Sequence, residues 1–245
     1  MYSDFKIIST YYDTLYVNDR EYGAEAGRVK DLLTRHGAPP RADLLVLACG
    51  TGGHIPYFRD EYTVSGLDLS EDMLDLARKK FPEVGFHLGD MSNFELETAF
   101  DAVVCLYGSI GFVKTVENLR AAMNRIASHL RPGGLALITP WSTAEDFRDL
   151  IVVDAADRPD LKIARMEHVR LKEPNMVEVT FHHLLGNNND VTYHKQSMEI
   201  GLFSREEYAA AMIDAGLNVV DVYTGKDVRG GAYIGKRVAG QVRKQ

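Results

Sequence analysis

The sequence predicts a doubly wound α/β domain, built on a mostly parallel sheet, with a small antiparallel β insert. Between residues 41 and 141, short and nearly continuous apolar runs alternate with segments of helical periodicity. Such runs are typical of parallel strands that helices cover on both faces. From Leu161 to Phe203 the pattern changes to alternating apolar and polar residues, which indicates antiparallel strands.

The chain opens with two predicted helices. Residues 4–17 and 20–36 place apolar side chains at helical spacing. The second segment stops at "HGAPP", where one glycine and two prolines end a helix. We expect both helices to precede the sheet.

Five apolar runs then predict five strands. They are "ADLLVLACG", "YTVSGLDLS", "VGFHLGDM", "FDAVVCLYGS" and "GGLALITPW". After the second of them, "SEDMLDLARKK" predicts a covering helix. Ser70 can cap its first turn, and Met73, Leu74 and Ala77 share the face that we expect to pack on the sheet.

The insert and the C-terminal region complete the fold prediction. The segments "ARMEHVRL", "NMVEVTFHHLL" and "DVTYHKQSMEIGLF" predict three antiparallel strands. A helix follows, with Ser204 and Glu207 as a capping box and Gly216 at its end. The pair "LNVVDVYT" and "GAYIGKRV" predicts a hairpin at the edge of the main sheet.

Composition narrows the classes of function. The chain has 245 residues and a net charge of -7, which argues against a nucleic-acid partner because phosphate binding needs a clustered basic face. No basic start leads into an apolar run, and no stretch of about 18 apolar residues occurs. We therefore expect a cytoplasmic protein with no membrane partner. Cys49 and Cys105 lie in apolar runs, which predicts buried side chains and not nucleophiles.

The stretch "LACGTGGHIPYF" predicts a cofactor site between the first strand and a helix. Small residues at Ala48, Gly50 and Gly52 leave the backbone open to a ligand. Asp68 ends the second strand about 20 residues further on, where a carboxylate is suited to accept hydrogen bonds from ribose hydroxyls. Ile55 stands where a dinucleotide-binding turn has its third glycine. The pattern therefore favours an adenosine cofactor other than a dinucleotide.

The motif Ala48-x-Gly50-x-Gly52, together with "GLDLS", "GDM" and "LRPGG", resembles the class I S-adenosylmethionine-dependent methyltransferases. The resemblance implies a Rossmann-like seven-stranded sheet, S-adenosyl-L-methionine as cofactor and S-adenosyl-L-homocysteine as product. Val46 departs from the family, which usually has an acidic residue at that position. The cofactor-binding residues that the resemblance implies are Tyr22, Ala48, Cys49, Gly50, Gly52, Asp68, Leu69, Asp90, Met91 and Leu106.

The ends of the chain are similar to a narrower family, the N-methyltransferases that dimethylate amino groups of nucleotide-linked amino sugars. The similarity rests on "YYDTLY", "REYGAEA", "LYGSIGFVKT", "TPW" and "IGLFSREEYAAAMIDAGL". It implies four parts of the chain. These are an N-terminal helical lid over residues 1–40, a cofactor-binding core over 41–141, an acceptor-pocket insert over 142–203 and the C-terminal part of the core over 204–245.

The same similarity, the alternation of residues along the last insert strand and the basic residues near the C-terminal hairpin together suggest the residues of the acceptor site. The candidate catalytic residues are Tyr12 and His194, and the candidate substrate residues are Phe112, Trp141, Gln196, Met198 and Arg229. Arg229 is assigned to a substrate phosphate. Phe112 stands where some members have a polar aromatic ring, and Met198 where members have histidine. These two departures predict a more apolar pocket than an amino sugar would favour.

The predicted reaction requires few catalytic side chains. In an in-line displacement at a sulfonium methyl group, alignment of the reacting atoms supplies most of the acceleration, roughly 7–11 kcal/mol. We expect N-methylation of a small amine, by a monomer or a homodimer. O-methylation of a small hydroxylated or carboxylated metabolite and a non-catalytic cofactor-binding module remain alternatives, whereas Ile55 disfavours a nicotinamide dehydrogenase. No metal is expected, since His182 and His183 point to opposite faces of a strand.

Overall fold

The apolar runs form a seven-stranded sheet in the computed structural model, which describes residues 11–15, 20–187, 189–225, 228 and 230–238. Its strands are β1 (Asp43–Leu47), β2 (Thr63–Asp68), β3 (Gly85–Leu88), β4 (Phe100–Cys105), β5 (Leu130–Ile138), β10 (Leu217–Tyr223) and β11 (Ala232–Arg237). Across the sheet the order is β10-β11-β5-β4-β1-β2-β3. β11 runs antiparallel between β5 and β10, and the remaining neighbours are parallel. The predicted mostly parallel sheet and its edge hairpin are confirmed.

Helices connect the parallel strands. Those of the described residues are α1 (residues 11–15), α2 (Arg20–Arg35), α3 (Ile55–Phe58), α4 (Glu71–Lys80), α5 (Val116–His129) and α6 (Arg205–Asp214), with a 3-10 turn, η1 (Ser109–Val113). The remainder of the first predicted helix, 4–10 and 16–17, lies outside the described residues. Within the described ranges, no helix combines the length and the apolarity that crossing a membrane requires.

Alternate side chains of β1 supply two separate apolar layers. Leu45 and Leu47 are buried in a cluster that includes residues of α5 and α6. Leu44 and Val46 point the other way and are buried in a cluster that includes residues of α2. Because a strand sends successive side chains to opposite faces, helices must cover this sheet on both sides. The doubly wound arrangement is thereby confirmed.

The predicted helix caps are present. The Ser70 hydroxyl accepts a hydrogen bond from the backbone N–H of Met73 at 3.4 Å, at the start of α4. Ser204 and Glu207 form the reciprocal capping box of α6. Gly216, just after α6, has a φ of 82°, which suits glycine at a helix end.

A second, four-stranded antiparallel sheet follows the fifth strand. It consists of β6 (Leu150–Asp157), β7 (Lys162–Glu173), β8 (Met176–Gly186) and β9 (Val191–Gly201), in that order. The sequence pattern predicted β7, β8 and β9, whereas β6 was not predicted. One face of the sheet packs on a small core that includes Phe147, Val169 and Val179.

The two sheets are joined at a close contact between η1 and β9. A Cβ atom at Gly111 of η1 would lie 2.2 Å from Cγ2 of Ile200 and 3.2 Å from the carbonyl oxygen of Gly201. Only a residue without a side chain allows this approach. The contact sets the end of β9 directly against the loop that follows β4.

Candidate active site

A cavity of about 560 Å³ opens at the carboxyl ends of the central strands. One half is lined by the loops after β1, β2 and β3, and the other by the inner face of the second sheet. Ligands of open α/β sheets bind at this edge. Both halves belong to one continuous space, so a cofactor and an acceptor bound there would lie next to each other.

The turn after β1 leaves room for a ligand at Gly50. This residue has a φ of +54°, and a Cβ built on it would meet no atom within 4 Å. Its N–H donates to Oδ2 of Asp68 at 2.8 Å, while the N–H of Ser70 donates to Oδ1 at 2.9 Å. The Asp68 carboxylate therefore bridges the turn and the start of α4, at the wall of the cavity.

The environment of Asp68 acts on its charge in two directions. Burial raises the pKa of the carboxyl group, while the hydrogen bonds from the N–H groups of Ser70, Gly50 and Leu69 lower it. Burial has the larger effect, and the pKa lies above its ordinary value. An acceptor that is desolvated in this way gains from hydroxyl donors of a ligand.

A second carboxylate marks the end of β3. Oδ1 of Asp90 accepts from the N–H of Ser92 at 2.8 Å and from its hydroxyl at 2.7 Å, which fixes the turn. Asp90 and Met91 line the cavity beside Leu69 and Ala48. The residues predicted to contact the adenosine thus come together around one space.

Four other predicted cofactor residues lie behind the cavity wall. Cys49 and Leu106 are buried in the apolar layer that contains α2. A Cβ at Gly52 would lie 2.8 Å from the Phe81 ring, so this glycine serves the packing of the turn. Tyr22 stacks on Tyr107, with 5.3 Å between ring centroids. Tyr107 lines the cavity, and Tyr22 lies behind it.

A buried carboxylate ties α2 to the same loop. Glu25 accepts from the backbone N–H of Tyr107 at 3.2 Å, from the Thr139 hydroxyl at 2.9 Å and pairs with His54 Nε2 at 2.9 Å. Burial raises the pKa of Glu25, but the bonds with His54, Thr139 and Tyr107 outweigh it and the pKa is lowered. Glu25 could not be predicted as a site residue, because helical spacing alone does not show such a partner.

Both cysteines are buried close to the turn. Burial raises the pKa of the thiols of Cys49 and Cys105. Such thiols are protonated at neutral pH and are poor nucleophiles. Their burial agrees with the sequence prediction.

The acceptor half of the cavity contains four of the predicted residues. Tyr12 of α1, Phe112 of η1, Trp141 after β5 and Met198 of β9 all line it. Met198 pairs with Val179 across the second sheet, so this part of the wall is apolar. Phe112 and Met198, the two departures from the family pattern, both lie in this half.

A charged group, which the sequence analysis missed, forms the adjoining wall. Asp154 of β6 and Arg165 and Glu167 of β7 line the cavity. Arg165 Nε donates to Asp154 Oδ1 at 3.0 Å, and Arg165 Nη2 lies 2.9 Å from Glu167 Oε1. The sequence did not indicate this charged group, because β6 was not predicted and the pairing of Asp154 with Arg165 across strands is set by register.

The structure does not bring His194 and Gln196 to the cavity wall. Both lie on the cavity-facing side of β9, but Gln196 pairs with Phe181, and His194 lies one row further from η1, opposite His183. His194 Nε2 bonds to the Thr192 hydroxyl at 3.1 Å. Arg229 lies outside the described residues.

The short helix α1 connects the two halves of the site. Asp13 accepts from the Thr51 hydroxyl of the cofactor turn at 2.5 Å and from Lys80 at the end of α4 at 2.8 Å. On the other side, the Tyr11 ring packs edge-on against His183 of the second sheet, at 5.4 Å between centroids. α1 therefore contacts both the cofactor turn and the second sheet; a role as a lid stays a prediction.

A second cavity of about 510 Å³ adjoins the first through Trp141, which lines both. Its walls come from the segment after β5 and from the loop between β10 and β11. Among the described residues, the cationic side chains there are Arg148 and Arg205, and Arg205 pairs with Asp146 at 2.5 Å. The volume lies in the range of small-molecule sites.

Comparison with known proteins identifies the family of the chain. Residues 44–134 match the family model of a methyltransferase domain. The chain is 38% identical to the dTDP-3-amino-3,4,6-trideoxy-alpha-D-glucopyranose N,N-dimethyltransferase of Streptomyces venezuelae, over 89% of this chain and 93% of that protein. It is 36% identical to the dTDP-3-amino-3,6-dideoxy-alpha-D-glucopyranose N,N-dimethyltransferase of Streptomyces fradiae, over 86% and 83% of the two chains.

Solved structures agree with the sequence relatives. The fold superposes on the crystal structure of Streptomyces venezuelae DesVI with a TM-score of 0.85 and 37% identity, covering 93% of this chain and 97% of that one. The structure of S-adenosylmethionine-bound CalS10, an amino pentose methyltransferase from Micromonospora echinaspora, gives a TM-score of 0.80 and 32% identity, with 89% and 92% covered.

Proposed function

Since the chain belongs to the family of S-adenosylmethionine-dependent N,N-dimethyltransferases of nucleotide-linked amino sugars, we propose that its acceptor is the amino group of such a sugar nucleotide. The protein is a methyltransferase with S-adenosylmethionine as cofactor. The observation that carries the proposal is the single cavity that joins the Gly50 turn to the charged wall of the second sheet.

The residues of the cofactor half fit the group that the family binds. Asp68 would accept hydrogen bonds from the ribose hydroxyls, and the open backbone at Ala48 and Gly50 would contact the methionine part. Asp90 and Met91 would contact the adenine. When bound, the cofactor supplies a sulfonium methyl group for in-line transfer. The chain's own contribution is to align that group with the acceptor.

The charges of the cavity favour an amine over a hydroxyl acceptor. Four carboxylates of the described residues line it against two cations. These are Asp68, Asp90, Asp154 and Glu167 against Lys114 and Arg165. Such a lining attracts a sulfonium cofactor and an ammonium acceptor, because both are cations. O-methylation, the second candidate, has no comparable support.

The adjoining cavity supports an acceptor that is larger than a free sugar. We assign the nucleotide part to the space beyond Trp141, where Arg148 and Arg205 line the wall. Tyr12 lines the acceptor half and is proposed to contact the amine. A direct role of His194 is not supported by its position in the sheet.

The test is methyl transfer to defined acceptors. Purified protein is incubated with S-adenosylmethionine and a dTDP-linked 3-amino-3,6-dideoxyglucose, and mass spectrometry counts the methyl groups added. We expect one and then two methyl groups on the amine. The same sugar nucleotide with a hydroxyl group in place of the amine is the control. Transfer to the hydroxyl compound alone, or to neither compound, would contradict the proposal.

A further inference from the structure

We infer that Glu167 selects an amine over a hydroxyl group in the acceptor, and that Arg165 fixes the orientation of its carboxylate. The inference rests on the proposed function, since it concerns the acceptor half of that site. It adds a specificity residue on β7, where the resemblance suggested none.

The strand register places Glu167 between the apolar part of the wall, at Met198 and Val179, and the other two charged residues. Residues that pair across the strands form rows on the inner face. Counted from the end of β9 that contacts η1, the first row contains Ile200 and the second Met198. In the third row Phe181 of β8 pairs with Gln196 on one side and with Glu167 on the other. Arg165 and Asp154 lie one row further away. Two residues along a strand span about 6.6 Å, so Glu167 is the first carboxylate of this sheet that an acceptor meets from the cofactor side.

Arg165 holds this part of the wall rigid. Its side chain is only 7% exposed, and its guanidinium lies 5.9 Å from the centroid of the Phe181 ring. Nε and Nη2 bind the two oxygens of Asp154, and Nη2 also lies 2.9 Å from Oε1 of Glu167. A planar guanidinium fixes carboxylates in direction as well as distance.

One guanidinium faces two carboxylates, so the group retains a negative charge towards the cavity. An ammonium group interacts with a carboxylate more strongly than a hydroxyl group does, because hydrogen bonds between charged groups are stronger. An ammonium acceptor must first lose one proton to solvent, which frees the nitrogen lone pair. During transfer the lone pair of the neutral amine forms the new N–C bond, while the C–S bond breaks and its electron pair stays on sulfur. Positive charge then develops on nitrogen, where a nearby carboxylate stabilises it.

The inference predicts a loss of ligand preference that can be measured without turnover. Calorimetry in the presence of S-adenosylhomocysteine gives the affinities for the dTDP-linked amino sugar and for its hydroxyl counterpart. The wild-type chain should prefer the amine, and Glu167→Gln should reduce that preference about tenfold or more, since a charged hydrogen bond becomes a neutral one. An unchanged preference would overturn the inference.

Glu178→Gln is the matched control on the other face of the same sheet. Glu178 pairs with Arg170, with Nη2 at 2.6 Å from Oε2, so the change removes an equivalent ion pair away from the cavity. The control should leave the preference as in the wild type. Unchanged binding of S-adenosylhomocysteine by Glu167→Gln shows that the variant folds. A control that lost the preference equally would also contradict the inference.

The role of Arg165 is tested by two substitutions. Arg165→Met should bring the preference close to that of Glu167→Gln, and Arg165→Lys should restore part of it because the charge returns without the planar fork. A wild-type preference in Arg165→Met would overturn this role.

The two proposals fail differently: if the wild type methylates neither sugar nucleotide, the proposed function fails, whereas methylation with an unchanged preference in Glu167→Gln refutes only the inference.

Discussion

At the residue scale, two glycines of the cofactor turn serve different purposes. Gly50 faces the cavity and has no neighbour near a built Cβ, whereas Gly52 packs against the Phe81 ring. Both have positive φ. A side chain at Gly50 would therefore occupy ligand space, and one at Gly52 would disturb the packing of the turn.

Gly50→Ala should weaken cofactor binding by much more than it lowers stability. The added methyl group enters the cavity, and the left-handed conformation costs about 1–2 kcal/mol for alanine. Gly133→Ala is the control, since Gly133 also has a positive φ (+81°) and open space around it but does not line the cavity. Calorimetry with S-adenosylmethionine and thermal unfolding measure the two effects. Equal loss of affinity in both variants would contradict the assignment of the turn.

Asp68 and Glu167 show what the sequence predicts at this scale. Asp68 follows an apolar strand at a fixed spacing from a glycine turn, so its position at the sheet edge was predictable. Glu167 and Arg165 alternate with apolar residues on a strand, as residues of a solvated face also do. Only the register with β6 and β8 shows that they face a cavity.

At the scale of single elements, β8 separates two adjacent histidines. His183 is buried on the inner face, between the Tyr11 and Phe181 rings. His182 is half-buried on the outer face and bonds to the Tyr193 hydroxyl. The prediction that they point to opposite faces is confirmed.

Burial, and secondarily the charge of Arg165, lower the pKa of His183 to about 4. The unfolded chain binds this proton at its ordinary pKa of about 6.5. Between these values the unfolded state holds more protons, so the free energy of unfolding should fall as the pH drops from about 6.5 towards 4. His183→Asn should flatten this slope, as measured by urea unfolding at several pH values. His182→Asn is the control, and a flatter slope in it alone would refute the assignment.

Helices with strong local signals were easier to predict than β6. The α4 helix has a capping serine, an apolar stripe and basic residues in its last turn, and all of these act within the element. β6 alternates half-buried and exposed residues over Leu150–Asp157. Its exposed positions include Ile151 and Val153, so apolar side chains occupy both faces and weaken the period-two signal.

At the scale of the whole molecule, α1 holds the two halves of the site together. Asp13→Asn removes the charge that binds Thr51 and Lys80. One such hydrogen bond contributes about 0.5–1.5 kcal/mol, so the cofactor should dissociate about 2–10 times faster. Asp31→Asn, which removes an exposed pair with Arg28 on α2, is the control. Stopped-flow displacement measures both rates, and equal rates in Asp13→Asn and the wild type would contradict a role of α1 in retention.

The contact of Gly111 with Ile200 limits how this enzyme can acquire new acceptors. Outward-facing residues of the second sheet, such as Glu178, do not line the site. A larger residue at position 111 would push β9 away from η1. The β9 residues that line the acceptor half, Met198 and Ile200, would then move relative to the methyl donor. Substrate range is therefore expected to diverge through the inward rows of this sheet while the join between the sheets stays unchanged.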